Sequence, residues 1–194
     1  MKTLRACLTL AALTLAMPAS AAAAGCPAQS TAQRFLRWGD LGWYAPLPDG
    51  GFESGSGWTI TGGAAVVDGN EPYFIGSPAD AHSLTLPSDA SAASTPVCLA
   101  LGSPTLRLLV RNQGDATARL TVSAIVTDPL GVRRTVTLAS LPSGAQWAPS
   151  PPIAVLVDAV TALGPQQVSF VVAPADAGGR WTIDDVYVDP YGKG

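Results

Sequence analysis

Charged residues are scarce in this chain of 194 residues: Asp, Glu, Lys and Arg together make up 13% of it, about half the usual share of a soluble domain. Disordered chains combine low hydrophobicity with high net charge, whereas this chain is 47% hydrophobic and has a net charge of −3. A small negative charge also differs from the basic patch of nucleic-acid-binding domains. The composition therefore indicates a folded chain and speaks against nucleic acid as its partner.

The side chains and motifs of the common enzyme classes are equally scarce. The chain has one histidine, His82, and its glutamates are Glu53 and Glu71. His82 and Glu71 lie in turn-rich stretches that predict solvated loops. The sequence has no His/Cys cluster for zinc, no glycine-rich phosphate loop and no Gly-x-Ser-x-Gly nucleophile elbow. We therefore expect no enzymatic activity, and a hydrolase with an unrecognised site is the least favoured alternative.

Residues 1–24 are predicted to be a signal peptide. Lys2 and Arg5 flank the start of an apolar run, 6–17, which Pro18 ends before a series of small residues. The run is too short to span a bilayer, and the small residues fit the cleavage rule. No later stretch is apolar for long enough to cross a membrane. The sequence therefore predicts a secreted protein, and an uncleaved anchor is the alternative.

Cys26 and Cys98 are the cysteines that remain after this cleavage, because Cys7 lies within the predicted signal peptide. Two cysteines in an exported chain indicate a disulfide. The alternative is lipidation of Cys26, since the small residues Ala24 and Gly25 precede it as in a lipoprotein signal. Lipidation would leave Cys98 alone, so the Cys26–Cys98 disulfide is the favoured prediction.

Glycine (20 residues) and proline (17 residues) are abundant, and with Asn and Asp they bound short segments in which apolar and polar residues mostly alternate. Such alternation is typical of β-strands with one buried face, and no long segment after the signal peptide has the period of a helix. These strands predict an all-β fold, an antiparallel sandwich or barrel. The predicted strands are 58–61, 64–67, 84–86, 105–111, 119–126, 134–138, 153–157, 167–172 and 181–188.

The last predicted strand, 181–188, departs from strict alternation. Its apolar residues change face at the pair Asp184 and Asp185, since Ile183 and Val186 would otherwise lie on opposite sides. Such a slip indicates a β-bulge, or carboxylates turned inward for a purpose. A buried carboxylate is costly unless hydrogen bonds or a metal ion compensate for it.

Two segments of the chain resemble a known family. DGGFESG at 49–55, followed by Gly-Trp at 57–58, is similar to the opening of jelly-roll carbohydrate-binding modules with the galactose-binding-domain-like fold, and WTIDDV at 181–186 resembles their final strand. The resemblance implies an antiparallel β-sandwich domain over 49–194 that binds an extracellular or cell-wall carbohydrate without catalysis. The alternative is an extracellular structural or adhesion protein that binds another protein.

Several modules of this family hold a structural calcium ion, and the resemblance implies its ligands at Glu53, Asp184 and Asp185. Calcium takes about six to eight oxygen ligands from carboxylates and carbonyls, and a cation here would join the first and last strands. The alternative is that Glu53 accepts hydrogen bonds from backbone amides while the aspartate pair lies in a polar bulge. Structural calcium is therefore the candidate cofactor.

Residues 25–48 precede this resemblance and are rich in aromatic side chains. They are similar to the N-terminal part of a family of uncharacterised secreted bacterial proteins that share the Trp-Gly-Asp and Asn-Glu-Pro segments at 38–40 and 70–72. Aromatic side chains are large and mostly apolar, and they are usually buried. We therefore expect this segment to wrap around the sandwich. The alternative is that it forms part of a ligand surface.

Carbohydrate binding needs aromatic rings that stack on sugars and polar groups that bind hydroxyls. Tyr73 and Trp147 lie outside the predicted strands, and Arg107 and Arg111 lie on the face of strand 105–111 opposite its core residues. We predict these four residues as ligand-binding, with a glycan or an extracellular surface as partner and a monomeric protein. The alternatives are burial of the rings in the core and a solvated outer face for the arginines.

Overall fold

The computed structural model describes residues 26–99, 104–127, 131–142, 144–155 and 166–190. In these ranges the regular elements are β-strands and one 3₁₀ turn, Leu36–Trp38. No helix in these ranges is long and apolar enough to cross a membrane. The predicted signal peptide, 1–24, lies outside the described residues.

The described strands form two antiparallel sheets. In chain order the strands are β1 (Ala45–Pro46), β2 (Trp58–Thr61), β3 (Ala65–Asp68), β4 (His82–Leu86), β5 (Ser91–Ser94), β6 (Val97–Leu99), β7 (Thr105–Asn112), β8 (Leu120–Thr127), β9 (Arg133–Leu141), β10 (Ala148–Pro149), β11 (Ile153–Ala154), β12 (Gln166–Pro174) and β13 (Trp181–Asp189). The first sheet has the order β10-β7-β13-β4-β3, with β1 also paired to β13 and β11 to β7. The second has the order β2-β5-β12-β8-β9, with β6 also paired to β12. This confirms the predicted all-β antiparallel architecture.

The hydrophobic core lies between the sheets. Side chains alternate along a strand, so every second residue of β7, β8 and β12 reaches the layer between the sheets. Leu108 from β7, Val122 from β8 and Phe170 from β12 are fully buried in one cluster. Trp181 at the start of β13 is the largest of the fully buried side chains. Burial of apolar surface of this kind, at about 25 cal/mol per Å², is what holds the two sheets together.

Each predicted strand overlaps an observed one, although β11 ends at Ala154 and residues 156–165 lie outside the described part. Four short strands were not predicted: β1, β5, β6 and β10. β5 has the sequence SAAS, and β1 and β10 are each an Ala-Pro pair. Segments this short and this poor in large apolar residues carry no alternation signal of their own, so only pairing with a neighbour makes them strands.

The predicted irregularity in the last strand is a β-bulge. The register between β13 and β7 shifts between Asp184 and Tyr187, and Asp185 has a positive φ of 49°. The extra residue returns Val186 to the core layer that also holds Ile183. The bulge therefore keeps both halves of β13 apolar on the inner side, and it places the two aspartates where alternation is broken.

The outer face of the first sheet is covered by the segment that precedes β1. Phe35 and Tyr44 from this segment form a second hydrophobic cluster with Leu109 of β7 and Tyr187 of β13. The ring centroids of Phe35 and Tyr187 are 5.9 Å apart in an edge-to-face arrangement. Part of the sheet face that lies opposite the core is thus itself buried.

The predicted disulfide is confirmed. Cys26 and Cys98 are joined, with their Cα atoms 5.4 Å apart. Cys98 lies in β6 of the second sheet, whereas Ala45 at the other end of the segment pairs with Val188 in the first sheet. The segment is therefore anchored at both ends, once to each sheet.

Candidate ligand-binding site

Three aromatic rings and two arginines meet on the outer face of the first sheet. This aromatic–arginine patch consists of Trp38, Tyr73, Trp147, Arg37 and Arg111. The centroids of the Trp38 and Tyr73 rings are 5.0 Å apart at an interplanar angle of 88°, and the Tyr73 hydroxyl donates a hydrogen bond of 3.0 Å to the Trp147 carbonyl. Of the four predicted ligand residues, the structure brings Tyr73, Trp147 and Arg111 together.

The guanidinium groups of the patch lie over the aromatic rings. The Cζ of Arg37 is 5.2 Å from the Trp38 centroid and 4.7 Å from the Tyr73 centroid. The Cζ of Arg111 is 4.8 Å from the centroid of Trp147. Such cation–π pairs fix ring and cation relative to each other. One side of each ring therefore presents N–H donors rather than a bare π-surface.

The members of the patch come from separate parts of the chain. The 3₁₀ turn supplies Arg37 and Trp38 and ends at Gly39, whose φ of 80° reverses the chain. Arg111 lies in β7, and Trp147 immediately precedes β10, which pairs with β7 at Val110. Arg37 and Trp38 are additions to the predicted ligand residues, because they lie in the segment predicted to wrap the sandwich.

Glu71 holds the loop that carries Tyr73, and its predicted position in a solvated loop is wrong. Glu71 is fully buried. One carboxylate oxygen accepts a hydrogen bond from the Tyr73 backbone N–H, and the other accepts a 2.7 Å bond from the Ile75 N–H. Its own N–H donates to Asp184 at 3.1 Å. Carboxylates that bind several backbone amides stabilise a turn from within, so Glu71 has a structural role.

Arg107 is buried, which differs from its predicted position as a ligand-binding residue on an accessible face. Its side chain is only 6% exposed, and it forms an ion pair with Asp40 of the covering segment. Its Nε donates a 2.9 Å hydrogen bond to the Ser150 carbonyl, and Phe35 lies over the guanidinium at 4.5 Å. Arg107 is therefore neither a ligand donor nor a solvated residue, because the covering segment crosses the sheet directly above it.

Asp40 completes this buried pair. Burial alone would raise the pKa of Asp40, but hydrogen bonds from the Gly42 N–H, the Tyr44 hydroxyl and Arg107 lower it below its ordinary value. Burial also raises the pKa of Tyr44 to about 12, so its hydroxyl remains protonated and donates to Asp40 at 2.8 Å. The covering segment is thus fixed to β7 by charge as well as by aromatic packing.

Three carboxyl groups are buried together at the bulge: Glu71, Asp184 and Asp185. Burial, followed by the nearby charge of Asp185, raises the pKa of Asp184 to about 8. Burial and the adjacent Glu71 carboxylate also raise the pKa of Asp185, whose Oδ2 has no hydrogen-bond partner among the described residues. Like charges in a buried cluster favour protonation of some members.

Two of the predicted calcium ligands, Glu53 and Asp184, accept hydrogen bonds from the protein. Both carboxylate oxygens of Glu53 are engaged, one by the Ala81 and His82 N–H groups at 2.8 Å and the other by His82 Nδ1 at 2.8 Å. Asp184 accepts hydrogen bonds from the Glu71 and Asp185 N–H groups. No group of three or more His, Cys, Asp or Glu among the described residues is placed to hold a metal. Calcium binding therefore stays a prediction.

His82 lies in β4 rather than in the predicted surface loop. The Glu53 hydrogen bond is the main cause of a raised pKa at His82, and Asp68 lies 3.6 Å from its Nε2. Burial would raise the pKa of Glu53, but hydrogen bonds from His82 lower it. The described geometry of Glu53 therefore agrees with the alternative interpretation, in which its carboxylate caps backbone amides.

Two other depressions in the described part of the chain are not lined by aromatic side chains. A depression of about 340 Å³ is lined by residues around Gln113 and Arg180, and another of about 270 Å³ lies between β9 and β11. The outer face of the second sheet presents small polar residues such as Thr121 and Thr137. The aromatic–arginine patch is therefore the surface where stacking groups and donors coincide.

Comparison with solved structures shows the fold. The CBM22-1 xylan-binding domain of Xyn10C from Paenibacillus barcinonensis is 14% identical, with a TM-score of 0.51 over 78% of this chain and 94% of that domain. The tandem CBM22-1–CBM22-2 domains of the same protein are 14% identical, with a TM-score of 0.51 over 87% of this chain and 49% of that one. These likenesses confirm the predicted jelly-roll β-sandwich.

A third similar structure contains a catalytic module as well. The CBM22-1–GH10 modules of Clostridium thermocellum xylanase 10B, complexed with xylohexaose, are 10% identical, with a TM-score of 0.51. The likeness covers 69% of this chain but only 26% of that chain, so the present chain spans about a quarter of it. The sequence matches no protein-family model and no curated protein. The predicted relation to an uncharacterised secreted family therefore stays a prediction.

Proposed function

We propose that this chain is a secreted, non-catalytic carbohydrate-binding protein whose glycan contacts the aromatic–arginine patch. The observation that carries the proposal is the convergence of Trp38, Tyr73 and Trp147 with two arginines on one outer face of a jelly roll. Aromatic rings bind the apolar faces of sugars, and guanidinium donors bind their oxygens. The fold of xylan-binding domains is consistent with this use of the sandwich, by analogy only.

The carboxyl groups support the non-catalytic part of the proposal. Glycoside hydrolysis needs two carboxyl groups that reach the substrate from opposite sides. Glu71, Asp184 and Asp185 converge, but each is at most 2% exposed. They bind backbone amides or each other, so a sugar on the surface would not reach them.

A glycan array with the purified chain tests the proposal. We expect the wild type to bind at least one class of extracellular polysaccharide. Replacement of both Trp38 and Trp147 by Ala should weaken that binding about tenfold or more, since stacking area is lost. Trp43→Ala is the control, because Trp43 is a tryptophan of the same covering segment as Trp38 but is exposed (46%) and lies outside the patch. Absence of glycan binding, or a double variant that binds like the wild type, would contradict the proposal.

Adhesion to another protein is the second candidate function. Leu36, Leu41 and Trp43 of the covering segment, together with Phe74, are between 46% and 69% exposed. Large exposed apolar side chains of this kind often belong to protein interfaces. For this candidate, an array of extracellular proteins should show binding that Trp43→Ala removes and that the Trp38/Trp147 double variant retains.

A further inference from the structure

The two arginines of the patch are not neutralised by the protein. In the described part of the chain, no carboxylate lies within ion-pair distance of Arg37 or Arg111. Arg37 is exposed, and its only described polar contact is a long hydrogen bond of 3.4 Å to the Tyr73 carbonyl. Arg111 is half-buried against Trp147, and its Nε is buried without a hydrogen-bond partner among the described residues.

Two neighbouring arginines make more internal contacts. Arg107 pairs with Asp40 and donates to the Ser150 carbonyl. Arg34 donates to the carbonyls of Ile75 and Gly76 at 2.8 and 3.2 Å, although its Nε has no hydrogen-bond partner among the described residues. Arg37 and Arg111 therefore differ from Arg107 in charge pairing, and they make fewer hydrogen bonds to the protein than Arg34 does.

We infer that the glycan bound by this patch is acidic and that Arg37 and Arg111 bind its anionic groups. The inference rests on the proposed function and adds the class of ligand. Guanidinium groups pair with carboxylates through two parallel N–H donors, and such charge-assisted hydrogen bonds are stronger than those to hydroxyls. A neutral glycan would leave both charges uncompensated beside the aromatic rings.

The arrangement of the patch also predicts how the anionic groups are distributed along the ligand. Arg37 lies over Tyr73, the Tyr73 hydroxyl donates to the backbone carbonyl of Trp147, and Arg111 lies over the Trp147 ring. The two cations thus lie over two different rings of the same patch. This suits an oligosaccharide in which anionic groups recur along the chain, such as a polyuronate, with its sugar rings against the aromatic side chains. The chain as a whole is negatively charged, so the attraction is local to the patch.

Titration calorimetry of the full chain with matched oligosaccharides tests the inference. The probes are hexagalacturonate, the same hexamer with its carboxylates methyl-esterified, a sulfated galactan oligosaccharide and neutral xylohexaose. We expect hexagalacturonate to bind about tenfold or more tightly than its ester, with an affinity that falls as salt is added. Tighter binding of the sulfated probe would identify sulfate rather than carboxylate as the anionic group.

The arginine variants distinguish this inference from the proposed function. Arg37→Gln and Arg111→Gln should each remove most of the preference for acid over ester, and Arg111→Lys should retain part of it. Arg133→Gln on the exposed edge strand β9 is the control and should leave the preference unchanged. Equal binding of ester, xylohexaose and acid would overturn the acidic-glycan inference while leaving carbohydrate binding intact. Absence of binding to every probe and to the glycan array would overturn both.

Discussion

At the scale of single residues, neighbouring arginines on one strand have different roles. Arg107 and Arg111 lie on the same face of β7, yet only Arg107 is covered by the segment that crosses the sheet. Arg107 is 5% exposed and paired with Asp40, whereas Arg111 is half-buried against Trp147. The position of a covering segment therefore decides which arginine is structural and which is available to a ligand.

The buried ion pair should contribute strongly to stability. Asp40→Asn removes the charge opposite Arg107 with little change of shape, and it should lower the free energy of unfolding by about 3 kcal/mol, because a buried charge is left without its counter-ion. Urea unfolding of the variant and the wild type measures the difference. Asp68→Asn, whose carboxylate is fully exposed, should change stability by less than about 0.5 kcal/mol. A loss below about 1 kcal/mol in Asp40→Asn would contradict this role of the pair.

At the scale of elements, the bulge in β13 determines where carboxyl groups are buried. With strict alternation, Ile183 and Val186 would point to opposite faces of the sheet, and Val186 would not reach the core. The bulge resolves this conflict, because Val186 and Ile183 both reach the core while Asp184 bonds to the Glu71 N–H. The result is a buried cluster of acids directly beneath the loop that carries Tyr73.

This cluster should make the protein less stable as the pH rises. The pKa of Asp184 is raised to about 8 in the folded state, so the folded chain holds a proton that the unfolded chain releases near the ordinary pKa of 3.8. Stability is therefore lost as the pH rises through that interval. His82, with its raised pKa, contributes in the same direction. Thermal unfolding between about pH 5 and pH 8 should show a falling Tm, with a smaller slope in Asp184→Asn. A Tm that rises over this range would refute the argument.

Calcium should have little effect on stability. N–H donors already bind the carboxylates of Glu53 and Asp184, so part of the cost of placing these groups in the protein is offset without a cation. We expect the same Tm, within about 1 °C, in excess calcium and in excess chelator. A rise of several degrees with calcium would contradict this expectation and would support the metal site that the family resemblance implies.

At the scale of the whole molecule, the covering segment connects the two sheets. Its start is joined to β6 of the second sheet by Cys26–Cys98, and its end pairs with β13 of the first sheet. Between these anchors it carries Arg37 and Trp38 onto the patch. The ligand surface is thus assembled from a segment outside the sandwich and from strands within it.

Loss of the disulfide should affect both stability and binding. The bridged cysteines are 72 residues apart, and closure of a loop of this length is worth about 4 kcal/mol in the chain-entropy model. The double variant Cys26→Ser/Cys98→Ser should approach that loss in urea unfolding. Its glycan affinity should fall as well, because Trp38 is less firmly placed. A variant that keeps wild-type affinity despite reduced stability would show that the first anchor is not needed to form the patch.

Much of the fold could be predicted from local patterns. The alternation of apolar and polar residues predicted the long strands, and its interruption at Asp184 and Asp185 predicted the bulge. The two cysteines left after removal of the signal peptide predicted the disulfide. Part of the site was also predictable, since Tyr73, Trp147 and Arg111 were singled out as aromatic or basic residues outside the core. Arg37 and Trp38 were missed, although their adjacency in an aromatic segment was a usable signal.

The sequence by itself determined the sandwich, because alternation of apolar residues is a local property that any strand with one buried face must show. Only the tertiary structure decided which parts of the outer faces are covered. Glu71 is buried and Arg107 is neutralised because residues distant in the chain, Asp184 and Asp40, lie against them. Burial of a polar group depends on such long-range contacts, and its cost is offset by partners that no local pattern identifies.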